Sequence, residues 1–238
     1  MNKKKLSTVT LLGIDCVDID RLILAANICQ EEFEFAEVKL LTSLESDHKD
    51  IVKINHLGSV DAYSEFMIKH LDEYVTTPHV LIFQYDGFIL NPKAWTDDFL
   101  KYDYIGAVWL VNEHFLKDDF PRELIGTLLV GNGGFSLRSK KLLSLCARFA
   151  EEKTITKFHP EDAAICLYNR KLFEKEGILF APVEVAKKFS FEALTDEKDA
   201  WTDEFGFHGI RWTDISNWTK AHPEYAVDMK ANTMIKKS

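Results

Sequence analysis

The chain has 238 residues, of which 46% are hydrophobic and 28% charged, and its formal net charge is −9. That length and balance fit a folded chain with a substantial core and exclude a disordered one. The acidic balance argues against a phosphate-backbone partner, so no nucleic acid is expected.

In chain order, the apolar run at 9–13 predicts a buried strand that opens into a loop at Asp15. Residues 19–33 carry Leu22, Ile23, Ala26, Ile28 and Cys29 at helical spacing. Strands are expected at 38–41 and 51–54, and a helix at 63–74 that ends before Thr77-Pro78. Val80-Leu81-Ile82-Phe83 is apolar throughout and predicts a central strand buried on both faces. Residues 105–110 predict another buried strand. Residues 128–137 predict a strand that Gly131-Asn132-Gly133-Gly134 breaks or joins to a second one. Helices are expected at 139–152 and 161–175, and strands at 178–180 and 183–189. The remainder reads as a polar tail with an apolar patch at Ile215 and Trp218. Strands alternating with helices, then mixing with hairpin-like elements, predict an α/β fold with a mostly parallel, partly antiparallel sheet flanked by helices. No repeat or low-complexity linker divides the chain. One domain over 1–238 is expected, its core at about 8–210 and its tail at 211–238.

No stretch approaches the roughly twenty apolar residues of a spanning helix. The apolar run at 9–14 is too short for a secretory signal. The lysines Lys3-Lys4-Lys5 and Lys236-Lys237 read as solvated ends that allow at most weak peripheral contact with an anionic membrane. Cys16, Cys29, Cys146 and Cys166 form no CxxC pair, which predicts buried reduced thiols in a cytoplasmic protein.

Four places could carry chemistry. Asp86 follows the strand at 80–83, and a carboxylate at a sheet edge can hold a hard divalent cation that bridges a diphosphate. Asp86-Gly87 is equally a turn signal. The glycines of Gly131-Asn132-Gly133-Gly134 let backbone approach a ligand, or simply turn a hairpin. Pro160-Glu161-Asp162 is an ordinary helix start whose acids suit the dipole. One of those acids could also serve as a general base. His208, between Gly206 and Gly209, offers an imidazole for a manganese-like ion or a core hydrogen bond. The aromatics Tyr85, Trp109, Trp201, Phe205, Phe207 and Trp212 fit core packing as well as sugar stacking. There is no GxSxG, HExxH, Walker A or GxGxxG motif.

The order of these motifs resembles the layout of GT-A glycosyltransferases and, more closely, the DUF5672 family. The residues that carry the resemblance begin with Leu81-Ile82-Phe83-Gln84-Tyr85-Asp86-Gly87-Phe88-Ile89-Leu90-Asn91-Pro92 and Tyr104-Ile105-Gly106-Ala107-Val108-Trp109. They continue with Gly131-Asn132-Gly133-Gly134-Phe135-Ser136-Leu137-Arg138-Ser139, Pro160-Glu161-Asp162 and Gly206-Phe207-His208-Gly209. The resemblance implies a GT-A-like, Rossmann-like fold and a nucleotide-sugar donor, UDP-sugar foremost, at the carboxyl edge of the sheet. It implies a divalent metal, Mn2+ or Mg2+, and a hydroxyl of a glycan or similar acceptor. Asp86 matches the last acid of the Asp-x-Asp motif, with Gln84 in place of the first. His208 matches the C-terminal metal-binding histidine. Asp162 matches the base of inverting members, and Glu161 would orient substrate or support the loop. Gly133 and Gly134 match the glycine loop at the donor sugar. Asp15, Gln84, Tyr85 and Trp109 fall among the donor-binding positions. Val108 stands where the family pattern leads us to expect proline. A role in polysaccharide biosynthesis would follow from the resemblance. A retaining mechanism, a GT-A-like binding protein without turnover and a metal-dependent phosphoesterase stay open.

Overall fold

The computed structural model describes residues 3–113, 122–194 and 198–237. Its centre is a six-stranded sheet. β1 (Lys4–Ile14) is followed by α1 (Ile19–Cys29), β2 (Phe33–Thr42) and β3 (Ile51–Lys53). Then come α2 (Val60–Lys69), a 3-10 turn at Leu71–Tyr74 and β4 (His79–Phe83). β5 (Tyr104–Ile105), β6 (Val108–Leu110), β7 (Leu128–Val130) and β8 (Ser136–Ser139) lead to α3 (Lys140–Glu151). The sheet order is β3-β2-β1-β4-β8-β5. The pairs among β3, β2, β1 and β4 are parallel, and β8 runs antiparallel to both β4 and β5. The chain is a mixed α/β protein with a mostly parallel central sheet flanked by helices, as the alternating pattern predicts.

The strand side chains alternate between two cores, the period-two consequence of a pleated strand. Leu11, Leu81 and Phe83 join Leu22, Ala26 and Cys29 of α1 on one side. Leu12, Val80 and Ile82 join Phe66 and Met67 of α2 and Leu143 of α3 on the other. Burial of each such aliphatic side chain contributes about 1.5–3 kcal/mol. The helices start on side-chain caps: Asp18 accepts from Asp20 N, Ser59 from Ala62 N and Ser139 from Leu142 N.

Several elements differ from expectation. The helix expected to 33 stops at Cys29, because Phe33 opens β2. The strand expected at 105–110 is split at Gly106, where a Cβ would collide with the carbonyl oxygens of Gly131 and Asn132. β5 stays in the main sheet, while β6 forms a separate antiparallel ribbon with β7. The helix expected at 161–175 is interrupted. It comprises α4 (Glu161–Ala163), a wide π turn over Ala164–Tyr168 and α5 (Arg170–Lys175). Residues 178–180 give only a bridge between Phe180 and Tyr104. Residues 183–189 are not a strand but α6 (Val183–Phe189), because Pro182 starts a helix that buries Ala186 and Phe189 three residues apart.

The polar tail is built into the molecule. β9 (Ser190–Phe191) pairs with β11 (Gly206–Phe207), and β10 (Asp199–Ala200) with β12 (Thr213–Asp214), both parallel. α7 (Ser216–Ala221) precedes a hairpin of β13 (Tyr225–Asp228) and β14 (Thr233–Lys236). β14 lies against α1, and Tyr225 Oη donates to Glu31 Oε1 at 2.6 Å. No helix among the described residues is long and apolar enough to cross a membrane. The four cysteines are buried free thiols.

Candidate active site

The site lies at the carboxyl ends of β1 and β4. These strands pair in register, Gly13 opposite Phe83, so Gln84 leaves the sheet one residue beyond that pair and Asp15 two residues beyond it. After Phe83 the chain turns tightly, with Gln84 N bonded to Gly87 O at 3.0 Å and Gly87 N to Gln84 O at 3.1 Å. The turn signal at Asp86-Gly87 is therefore real, and it holds Asp86 at the sheet edge with its side chain largely buried. Asp86 Oδ1 has no hydrogen-bond partner among the described residues. Asp86 Oδ2 accepts from Asn232 Nδ2 at 3.4 Å.

His208 is brought to Asp86 by two pairings. Gly209 N donates to Asp86 O at 2.8 Å, and Phe207 N to Phe88 O at 3.3 Å. The register of β11 on β9 places Phe207 opposite Phe191. The next residues, His208 and Glu192, then meet, with His208 Nδ1 3.0 Å from Glu192 Oε1. Asn132 Nδ2 donates to Glu192 Oε2 at 2.6 Å and lies 3.1 Å from His208 Nδ1. On its other edge, His208 Nε2 lies 3.1 Å from Gln84 Oε1 and 3.8 Å from Asp86 Oδ1. Burial works against the imidazolium, but the hydrogen bond to Glu192 and the charges of Asp86, Glu192 and Asp162 outweigh it and raise His208 to about 9.

The glycine loop supports both ends of this arrangement. Asn132 adopts a left-handed backbone, φ 53°, and its Oδ1 accepts from Gly134 N at 3.1 Å. Gly134 packs against the His208 ring, where a Cβ would overlap the imidazole. Gly133 N donates to Asp162 Oδ2 at 2.8 Å, and Ala163 N donates to Asp162 Oδ1 at 2.8 Å. Burial, followed by the negative charge of Glu161, pushes the Asp162 carboxyl up to about 7.

Glu161 faces inward. It pairs with the fully buried Arg138, Nη2 to Oε1 at 3.0 Å. Arg138 Nε also donates to Ser136 Oγ, and Nη2 lies 3.5 Å from Gly133 O. Glu161 is thus tied to the loop through Arg138. Trp109 packs on the opposite strand of the loop, its ring against Gly131 and in the small cluster of Val111, Ala163 and Leu167.

A cleft of about 400 Å³ opens beside Gln84 and Tyr85, lined also by Asp15, Arg21, His56 and Tyr63. That volume falls in the range of roughly 300–1,000 Å³ typical of small-molecule sites. Asp15 accepts from Val17 N, Asp18 N and Arg21 Nε, the last at 2.6 Å. The Arg21 guanidinium, held this way, lies 3.6 Å from the centroid of the Tyr85 ring. Gln84 Nε2 donates to Tyr63 Oη at 3.1 Å. Asp15, Gln84 and Tyr85 therefore border one cleft, next to Asp86, His208, Gly133, Gly134 and Asp162.

Among the described residues no group of three or more His, Cys, Asp or Glu side chains is arranged to hold a metal ion. Asp86 and His208 do fit two ligand positions, because the unpartnered Asp86 Oδ1 faces His208 Nε2, an imidazole nitrogen whose other near contact is Gln84 Oε1. Glu192 would then orient the ring through Nδ1, as carboxylates behind ligating histidines do. Glu192, Asn132, Asn232, Arg138 and Arg21 are not singled out by the sequence. Asn132 and Arg138 stand within the glycine-loop motif, which is a signal that could have found them; Arg21 is held by Asp15 six residues earlier, and Glu192 and Asn232 are placed by contacts between distant segments.

No curated protein matches this chain. Among solved structures, the bifunctional IspDF from Campylobacter jejuni is similar at 14% identity and a TM-score of 0.35. That match covers 58% of this chain and 42% of the other, so the chain spans less than half of that protein's length. The 2-C-methyl-D-erythritol 4-phosphate cytidylyltransferase from Thermus thermophilus matches at 11% identity and a TM-score of 0.38, over 74% of this chain and 95% of that one. Both likenesses are too distant to say anything of this chain's activity. The family model described as protein of unknown function (DUF5672) matches residues 48–208, which include the resembling motifs from Leu81 as far as His208, all but the final Gly209, and the chain belongs to that family.

Proposed function

We propose that this chain is a metal-dependent glycosyltransferase that moves a sugar from a nucleotide-sugar donor, UDP-sugar foremost, to a hydroxyl acceptor with inversion. The observation that carries the reading is the buried, unpartnered Asp86 Oδ1. It faces His208 Nε2 at 3.8 Å, next to a cleft of about 400 Å³. A buried acceptor without a donor is rare in a folded protein and calls for an explanation such as an ion.

In this reading the cleft takes the nucleoside, with Tyr85 and Arg21 offering a flat face to the base and Gln84 and Tyr63 offering polar groups. Asp86 and His208 would hold the divalent cation beside the diphosphate. Such a cation, when bound, supplies positive charge to the leaving diphosphate. Asp162 takes the proton from the acceptor hydroxyl as that oxygen bonds to the anomeric carbon. The bond from that carbon to the diphosphate breaks, and the nucleoside diphosphate leaves. A carboxylate near neutral pKa, both oxygens steadied by backbone N–H groups, suits a general base.

The test is release of nucleoside diphosphate from candidate nucleotide sugars by the full chain and by Asp162→Asn. The proposal expects metal-dependent release in the unaltered chain and its loss in the variant, with donor affinity kept. Binding without release from any donor would favour a non-catalytic nucleotide or glycan-binding protein. Release of phosphate from a simple ester would favour a phosphoesterase.

A further inference from the structure

We propose that Asn232, on the C-terminal hairpin, supplies a third protein donor to the cation site of Asp86 and His208. The inference rests on the cation reading above and adds to it a residue outside the segment matched by the family model.

Asn232 stands at the turn between β13 and β14. Asp228 Oδ1 accepts from Lys230 N at 2.9 Å and Ala231 N at 3.2 Å, which fixes the turn. Asn232 itself is left-handed, φ 51°, a conformation that asparagine tolerates. The hairpin is anchored at its base by Tyr225 on Glu31, and α7 before it by Trp218 Nε1 on Leu90 O at 3.0 Å. Its turn is thereby delivered to the end of β4.

Asn232 Nδ2 donates to Asp86 Oδ2, which orients the carboxylate. The other oxygen of each side chain, Asp86 Oδ1 and Asn232 Oδ1, is buried and has no hydrogen-bond donor among the described residues. Both orphaned oxygens are of the kind a hard divalent cation takes, and His208 Nε2, which Gln84 Oε1 also approaches at 3.1 Å, lies 3.8 Å from Asp86 Oδ1. Gln84 stands where an acid would add a ligand, and its amide is already shared between Tyr63 and His208. Asn232 meets the same aspartate through its amide nitrogen, from the other end of the chain, and carries its orphaned oxygen on that same amide.

Asparagine could also be present at 232 only because the turn is left-handed. Glycine accepts that backbone and carries no amide, so it separates the two roles. The experiment is calorimetric titration of the full chain with Mn2+, alone and with UDP, alongside the metal-free Tm. The unaltered chain is compared with Asn232→Gly and Asn232→Asp. The expected result is at least about a tenfold loss of Mn2+ affinity in Asn232→Gly with unchanged Tm, and affinity kept or raised in Asn232→Asp. Unchanged Mn2+ affinity in Asn232→Gly overturns the proposal and leaves the Asp86–His208 site standing. If Asn232→Gly lowers the metal-free Tm, Asn232→Asp decides, and affinity below that of the unaltered chain overturns the proposal. Absence of Mn2+ binding by the unaltered chain overturns the cation reading itself, and the proposal with it.

Discussion

Gly134 packs against the imidazole of His208 with no room for a side chain between them. The glycine loop therefore does more than turn the chain into β8. It lets an imidazole from a distant segment lie beside Asp86, while Asn132 of the same loop holds the glutamate behind that imidazole. The backbone of one motif thus sets the position of another.

Replacing Gly134 with alanine should push His208 away from Asp86. The expected outcome is a loss of Mn2+ affinity of about tenfold or more, read by calorimetry. The far-ultraviolet circular dichroism of the chain should not change. Unchanged Mn2+ affinity would detach the glycine loop from the cation site.

Turnover should depend on the ionisation of Asp162. A base acts only when deprotonated, so kcat should fall as pH falls through about 7, where burial and Glu161 have raised this carboxyl. Asp162→Asn should remove the acidic limb together with about 10²–10⁴-fold of kcat. An acidic limb near pH 4 in the unaltered chain would contradict the assignment.

The metal-free chain should lose stability between neutral and alkaline pH. His208 is raised to about 9 in the fold, above its ordinary value of about 6.5. Its contribution is complete below about pH 6.5 and is lost as pH rises through about 9. The raised Asp162 acts in a lower window, because its neutral form favours the fold from about pH 4 to about pH 7. A Tm series from pH 7 to pH 9 isolates the histidine, and His208→Gln should flatten it. An equal slope in that variant would mean that other groups carry it.

Glu161 should prove a stability residue. Its loss strands the Arg138 guanidinium, which has no exposed side-chain surface, and Glu161→Ala should cost about 3–5 kcal/mol in chemical denaturation. A loss below about 1 kcal/mol would show that the pair is replaceable by water.

The strands around the site are readable because they are continuous apolar runs that end at charged or glycine residues. Val80-Leu81-Ile82-Phe83 needs no more than burial on two faces, and it delivers Gln84 and Asp86 where the pattern suggests. The error at 183–189 has a local cause. Val183 and Val185 alternate like a strand, while burial follows Ala186 and Phe189 at helical spacing. The functional partners are harder to read for a different reason. Glu192 matters only because β9 lies in register with β11, and Asn232 only because a hairpin folds back over 146 positions to Asp86. Neither residue stands in a motif, and the tail that holds Asn232 reads as polar with one apolar patch at Ile215 and Trp218, which does not reveal that Trp218 and Tyr225 anchor it.

The most direct test of the central claim is a thermal-shift screen of nucleoside diphosphates and nucleotide sugars, each with and without Mn2+. Ligand that binds the folded chain raises Tm by mass action. The account predicts a rise with one nucleotide that requires Mn2+ and disappears in Asp86→Asn and in His208→Ala. No rise with any nucleotide, or a rise that both variants retain in full, would contradict it.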